Sequence, residues 1–147
     1  MTTLARDSSL GTARARRLRG PLAVAGVVGA ATLALQLRDP HRHASWGLCP
    51  FKALTGWDCP LCGGLRAVND LGHGRLIDAA HSNLLFVASI PLLVALWALW
   101  LRRGWTGQLG PRLPVRAVRP LLVAGAVLLL AFTVYRNTPW GAAWHVV

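Results

Sequence analysis

Glutamate is absent from this chain of 147 residues, and aspartate supplies all 5 of its acidic side chains. No pair of neighbouring carboxylates is available for general acid and base work. No Ser/His/Asp arrangement and no glycine-rich phosphate cradle is present, so ordinary hydrolytic chemistry has no footing and a non-enzymatic role is expected. Charge of either sign is scarce: 14% of residues, where a soluble domain carries about 25%. Internal repeats and heptads are missing. Cysteine occurs only 3 times, and always between residues 49 and 62.

What the chain has is apolar sequence, 54% of it, with arginine beside it. The arginines stand in blocks at the ends of apolar runs, with no basic stripe interleaved with aromatics. That pattern orients helices in a bilayer and argues against nucleic acid as a partner. The length allows one domain. The expected fold is an all-α membrane protein: three transmembrane helices and a cysteine-containing, partly helical extracytoplasmic loop.

Residues 1–20 hold Arg6, Arg14, Arg16, Arg17 and Arg19 against Asp7, and read as a basic, disordered cytoplasmic tail. Anionic lipid headgroups are a second use for the same charges. Residues 21–37 form the first transmembrane run, about 25 Å long as a helix, with Pro21 suited to its first turn. The run exceeds the apolar core of a signal peptide, about 7–15 residues, so an uncleaved anchor is expected. Gly26, Ala30 and Ala34 make a small-residue face suited to a neighbouring helix, from another membrane protein or a second copy.

Residues 38–83 are too polar to span and too few for a core of their own. Trp46, Leu48, Phe51, Leu54 and Trp57 suit the membrane interface. A short helix is predicted over 65–71, stopped by Gly72-His73-Gly74. Another turn or two follows over 76–80, and Ser82 or Asn83 caps the next helix. Residues 84–101 are the second transmembrane run, with Pro91 predicted to kink it. Residues 102–119 are a basic loop, 120–135 the third run, and 136–147 a short tail. The first tail and second loop carry five arginines each, whereas the cysteine loop is nearly neutral. The positive-inside rule then places the N-terminus and second loop in the cytoplasm and the cysteine loop and C-terminus outside the plasma membrane.

Cys59-Pro60-Leu61-Cys62 is a C-x-x-C, with Cys49 upstream. Three uses compete. A structural disulfide fits an oxidising outer face, with Cys49 joined to one cysteine of the C-x-x-C as the favoured pairing. A zinc-type metal site would combine the thiolates with a histidine, His73, His41, His43 or His81. Thiol redox chemistry would use Cys59, at a possible helix start, with Cys62 resolving. Gly56, Gly63, Gly64, Arg66 and Asn83 are the loop-structuring candidates, Arg66 by bonding loop carbonyls or pairing with Asp58 or Asp70.

At Cys49-Pro50-Phe51, Thr55-Gly56, Cys59-Pro60, Cys62-Gly63-Gly64 and Arg66-Ala67, followed by Gly74, Ala79 or Ala80 and Asn83, the chain resembles a family of small bacterial multi-pass membrane proteins of unknown function. Arg136-Asn137-x-Pro139 is similar to an ending seen in some members. Leu61 and Leu65 depart from the pattern, where Gly and Thr are common. The resemblance implies a membrane protein and no particular activity. The residues leave two functions open: a structural or interaction protein with a rigid outer loop, or a thiol redox or metal-binding protein using Cys49, Cys59 and Cys62.

Overall fold

The computed structural model describes residues 2–42, 46, 49–108, 110 and 114–144. Every regular element among them is a helix: α1 (Thr2–Leu37), α2 (Pro50–Thr55), α3 (Gly64–Gly72), α4 (Leu76–Thr106), α5 (Val115–Arg136) and α6 (Pro139–Trp144). Three stretches are long and apolar enough to cross a membrane: Gly11–Leu37, Leu76–Thr106 and Arg116–Arg136. Their apolar side chains, Leu22, Val27, Leu92, Leu93, Leu122 and Leu130 among them, stand exposed. Helices close their own backbone hydrogen bonds, so such a surface is suited to lipid. The chain is an all-α, multi-pass membrane protein.

Two compact units make up the fold. The first joins Met1–Ala31 with Pro91–Arg112. Here the basic segment is helical, contrary to the disorder expected of it. Leucine, alanine and arginine propagate a helix well, and arginines in it have partners. Arg14 Nε donates to the carbonyl of Trp105 at 3.2 Å, and Arg17 Nε to that of Gly104 at 3.3 Å. These are last-turn carbonyls of α4, which have no intrahelical donor. The Arg14 guanidinium also lies 4.3 Å from the centre of the Trp105 ring. Pro21 falls inside α1, not in its first turn. Its carbonyl accepts a hydrogen bond from Trp97 Nε1 at 3.0 Å. Gly20 lies under the Trp100 ring, where a Cβ would come within 2.8 Å. Gly26 has open space where a side chain would be, and Ala30 is exposed.

The second unit joins Thr32–Ile90 with Leu113–Val147 and holds the cysteine loop. Its interior is unusually polar. Leu35, Ala67 and Ala79 are buried, and so are Asn69, Asp70, Ser82, Asn83 and Arg136. Buried polar groups persist only when partnered, and most of these are. Asn69 Nδ2 donates to the Leu35 carbonyl at 2.8 Å, fastening α3 to the end of α1. Asp70 receives Arg75 at 2.6 Å, His41 at 3.0 Å and Ser82 Oγ at 3.1 Å. The short helix predicted over 65–71 is α3. The turn predicted over 76–80 merges into α4, whose one non-helical residue is Asn83 (φ −162°, ψ 95°). Pro91, the predicted kink, keeps helical torsions, and the break lies about two turns earlier, at Asn83.

Candidate metal centre

Cys49 occupies the N-cap position of α2, in extended conformation, and Pro50 starts the helix. Pro50 loses nothing there, because the first helical N–H has no acceptor in any case. The helix lasts six residues. Gly56 ends it in the left-handed region (φ 73°), returning its N–H to the Lys52 carbonyl at 2.9 Å. Thr55 Oγ1 donates to the Phe51 carbonyl and accepts from Trp57 N–H. This one-turn helix and its reversal bring Cys49 back beside the C-x-x-C.

The C-x-x-C is a turn, with Cys62 N–H donating to the Cys59 carbonyl at 3.1 Å. Helix α3 starts two residues after Cys62, at Gly64, so Cys59 is not at a helix start as the redox reading supposed. Three side chains hold the turn from outside. Asn83 Nδ2 donates to the carbonyls of Pro60 (2.8 Å) and Cys62 (3.0 Å). Its Oδ1 accepts the Phe86 N–H at 2.9 Å, capping the helix that follows, as expected. Arg136 Nη1 donates to the same Cys62 carbonyl at 2.7 Å. Asn137 grips the segment before the turn, accepting Asp58 N–H at 2.9 Å and donating to the Asp58 carbonyl at 3.0 Å. Gly63, at φ 80°, follows the turn, and any Cβ there would strike the Ser82 carbonyl.

The sulfurs converge. Cys59 Sγ lies 3.1 Å from Cys62 Sγ and 3.6 Å from Cys49 Sγ, and all three fall within 4.8 Å of one another. The expected disulfide is therefore not formed, and all three cysteines are free. A bond requires about 2.05 Å. Here Cys59 is shared between two neighbours and bonded to neither. The separations instead approach those of a tetrahedral thiolate centre, where metal–sulfur bonds of about 2.3 Å put sulfurs about 3.8 Å apart.

The thiols differ in acidity. The Lys52 backbone amide holds Cys49 below its ordinary value, against the opposing effect of burial. Burial pushes Cys62 up to about 12, and its hydrogen bond to Cys59 adds to the rise. A cation between the sulfurs reverses that preference, because a coordinated thiol loses its proton outright.

Of the histidines weighed as a fourth ligand, His73 ends α3 with Nδ1 2.9 Å from the Asn69 carbonyl, and it is not among the side chains that can share one ion. His41 contacts Asp70, and His81 stacks edge-on with Trp144 at 4.7 Å. His43 lies outside the described residues. Arg66 lines a cleft of about 220 Å³ together with His41, Asp70, Asp78, His81 and Ser82. Gly64 opens α3 with no close neighbour. Arg136 and Asn137 were not foreseen as site residues. Their signal was a charged and an amide side chain placed directly after an apolar run.

A membrane protein with a three-cysteine centre at the end of its helices is the class these elements define. Residues 49–97 match a family described as "Protein of unknown function (DUF2752)". The match includes all three cysteines and Asn83. No curated protein and no solved structure matches the chain.

Proposed function

We propose that the protein is an integral membrane metal-thiolate protein, in which Cys49, Cys59 and Cys62 hold one soft divalent ion of the zinc type. The observation that carries this is the convergence of three free sulfurs within 4.8 Å. Thiolates select zinc and other soft ions over calcium or magnesium. The turn is braced by Asn83, Arg136 and Asn137 through its backbone, which leaves the sulfurs available to a ligand. Among the described residues no fourth side chain joins the three sulfurs, and we assign that position to an exogenous ligand such as water. The bound ion organises the loop, so the structural role and the metal role are one. A thiol redox role has less support: Cys59, the nucleophile of that reading, lies in a turn and not at a helix start.

We propose with it a topology: residues 1–20 and 102–119 in the cytoplasm, the cysteine loop 38–83 and tail 136–147 outside, and spans over 21–37, 84–101 and 120–135. Arginine distribution supports it. A bound ion would also protect the thiols on an oxidising face. The open small-residue face of α1 at Gly26 and Ala30 supports pairing with a second copy or another membrane protein.

The test is metal content of the protein purified from native-like expression, with Cys49→Ser, Cys59→Ser and Cys62→Ser beside it. One zinc-type ion per chain, with lower occupancy in each variant, is expected. A metal content that no cysteine substitution alters would end the proposal.

A further inference from the structure

Helix α5 ends by delivering a charge into the interior of the second unit. Arg136 is only 2% exposed. Its Nη1 reaches the Cys62 carbonyl, but Nε and Nη2 are buried without a hydrogen-bond partner. A cation removed from water in this way is costly unless an anion faces it. The charged or chargeable groups around it are Asp58, Cys62 and Cys59, with Arg66 of like sign. Asp58 is the strongest of these, but it is shared with Lys52, whose Nζ lies 2.8 Å from its Oδ1. The sulfurs are the other groups able to carry negative charge beside Arg136. Neutral thiols offer Arg136 weak acceptors and no charge, whereas three thiolates around a divalent ion carry one net negative charge.

We propose that Arg136 is the counter-ion of the metal–thiolate centre, a positioning residue that couples loading of the cysteines to docking of the end of α5. The inference rests on the metal-binding reading of Cys49, Cys59 and Cys62. In the loaded protein, one net negative charge at the centre meets the one positive charge of Arg136. Arginine suits the place because its planar fork holds the charge and several donors in a fixed geometry, where lysine offers a single flexible ammonium. The coupling is reciprocal: what Arg136 adds to metal affinity, the metal adds to the seating of α5. Asn137, next in the chain, holds the Asp58 backbone at the same end of the helix and gives the docked state a defined geometry.

The experiment measures Zn²⁺ and Ag⁺ affinities by chelator competition on the full chain in detergent, for the wild type, Arg136→Lys and Arg136→Met. With Ag⁺ the three-thiolate centre carries two net negative charges, and with Zn²⁺ only one. A Coulombic partner therefore matters more for Ag⁺. Arg136→Met is expected to lose roughly tenfold in Zn²⁺ affinity and more in Ag⁺ affinity, with partial recovery in Arg136→Lys. Equal losses for the two ions, or no loss, overturn the proposal while leaving the metal site intact. A wild-type protein that binds neither ion overturns the metal reading and this inference together. Should Arg136→Met fail to fold, hydrogen exchange of the wild type decides: Zn²⁺ is expected to slow amide exchange over residues 133–138, and unchanged exchange there on Zn²⁺ binding overturns the coupling.

Discussion

Asn137 and Asp58 form a two-way pair: the Asn137 amide oxygen accepts the Asp58 N–H at 2.9 Å, and its amide nitrogen donates to the Asp58 carbonyl at 3.0 Å. A side chain here imitates a neighbouring β-strand, for a segment that has none. The pair ties the end of α5 to the residue before Cys59. Asn137→Ala removes both bonds and leaves two backbone groups half-buried without partners. A loss of about 1–3 kcal/mol is expected. Thermal unfolding in detergent measures it, with Asn137→Asp, which keeps the acceptor alone, falling between.

Gly63 has a backbone no other residue would adopt without strain, and its α-carbon faces the Ser82 carbonyl with no room for a methyl group. Gly63→Ala is expected to cost about 2–4 kcal/mol, combining left-handed strain and the displaced carbonyl. Gly64→Ala, where nothing lies within 4 Å, is the matched control and should change stability little. Equal effects of the two substitutions would contradict the close crossing at Gly63.

Thiol reactivity in the metal-free protein should follow acidity. The Cys49 thiol is lowered, so more of it is thiolate at neutral pH; Cys62 is raised to about 12, so almost none is. Since the thiolate is the nucleophile, iodoacetamide at pH 7 should label Cys49 first and Cys62 last, read by peptide mapping over time. Raising the pH should speed the labelling of Cys62 up to about pH 12.

Much of this arrangement is legible in the chain, and the unread part is non-local. The apolar runs announce three helices because hydrophobic length is a local property. Asn83 reads as a cap because capping depends on three neighbouring residues. Its second role, bonding Pro60 and Cys62 across more than twenty residues, has no local signature. Arg136 and Asn137 act over still longer separations, so neither periodicity nor spacing exposes them. The disulfide expectation failed for a different reason. Compartment argued for oxidation, but the return of Cys49 through α2 and Gly56 brings it to both cysteines of the C-x-x-C, and no single pairing is selected. The charge of the basic first segment suggests a solvated tail, whereas its helicity follows from arginine also being a good helix former.

Topology has its own test. Reporter fusions after Gly107 should report the cytoplasm, and fusions after Trp140 the opposite side. The expectation rests on the arginine blocks at residues 1–20 and 102–119. Both reporters on one face would mean that residues 120–135 do not cross the membrane, and the three-span reading would be wrong.

X-ray absorption at the edge of the metal that co-purifies with the full chain tests the metal–thiolate centre most directly. Three sulfur scatterers at about 2.3 Å and one lighter scatterer at about 2.0–2.1 Å are the predicted shell, with the sulfur count falling by one in Cys49→Ser. A shell of nitrogen and oxygen alone, or a sulfur count unmoved by Cys49→Ser, would contradict the account.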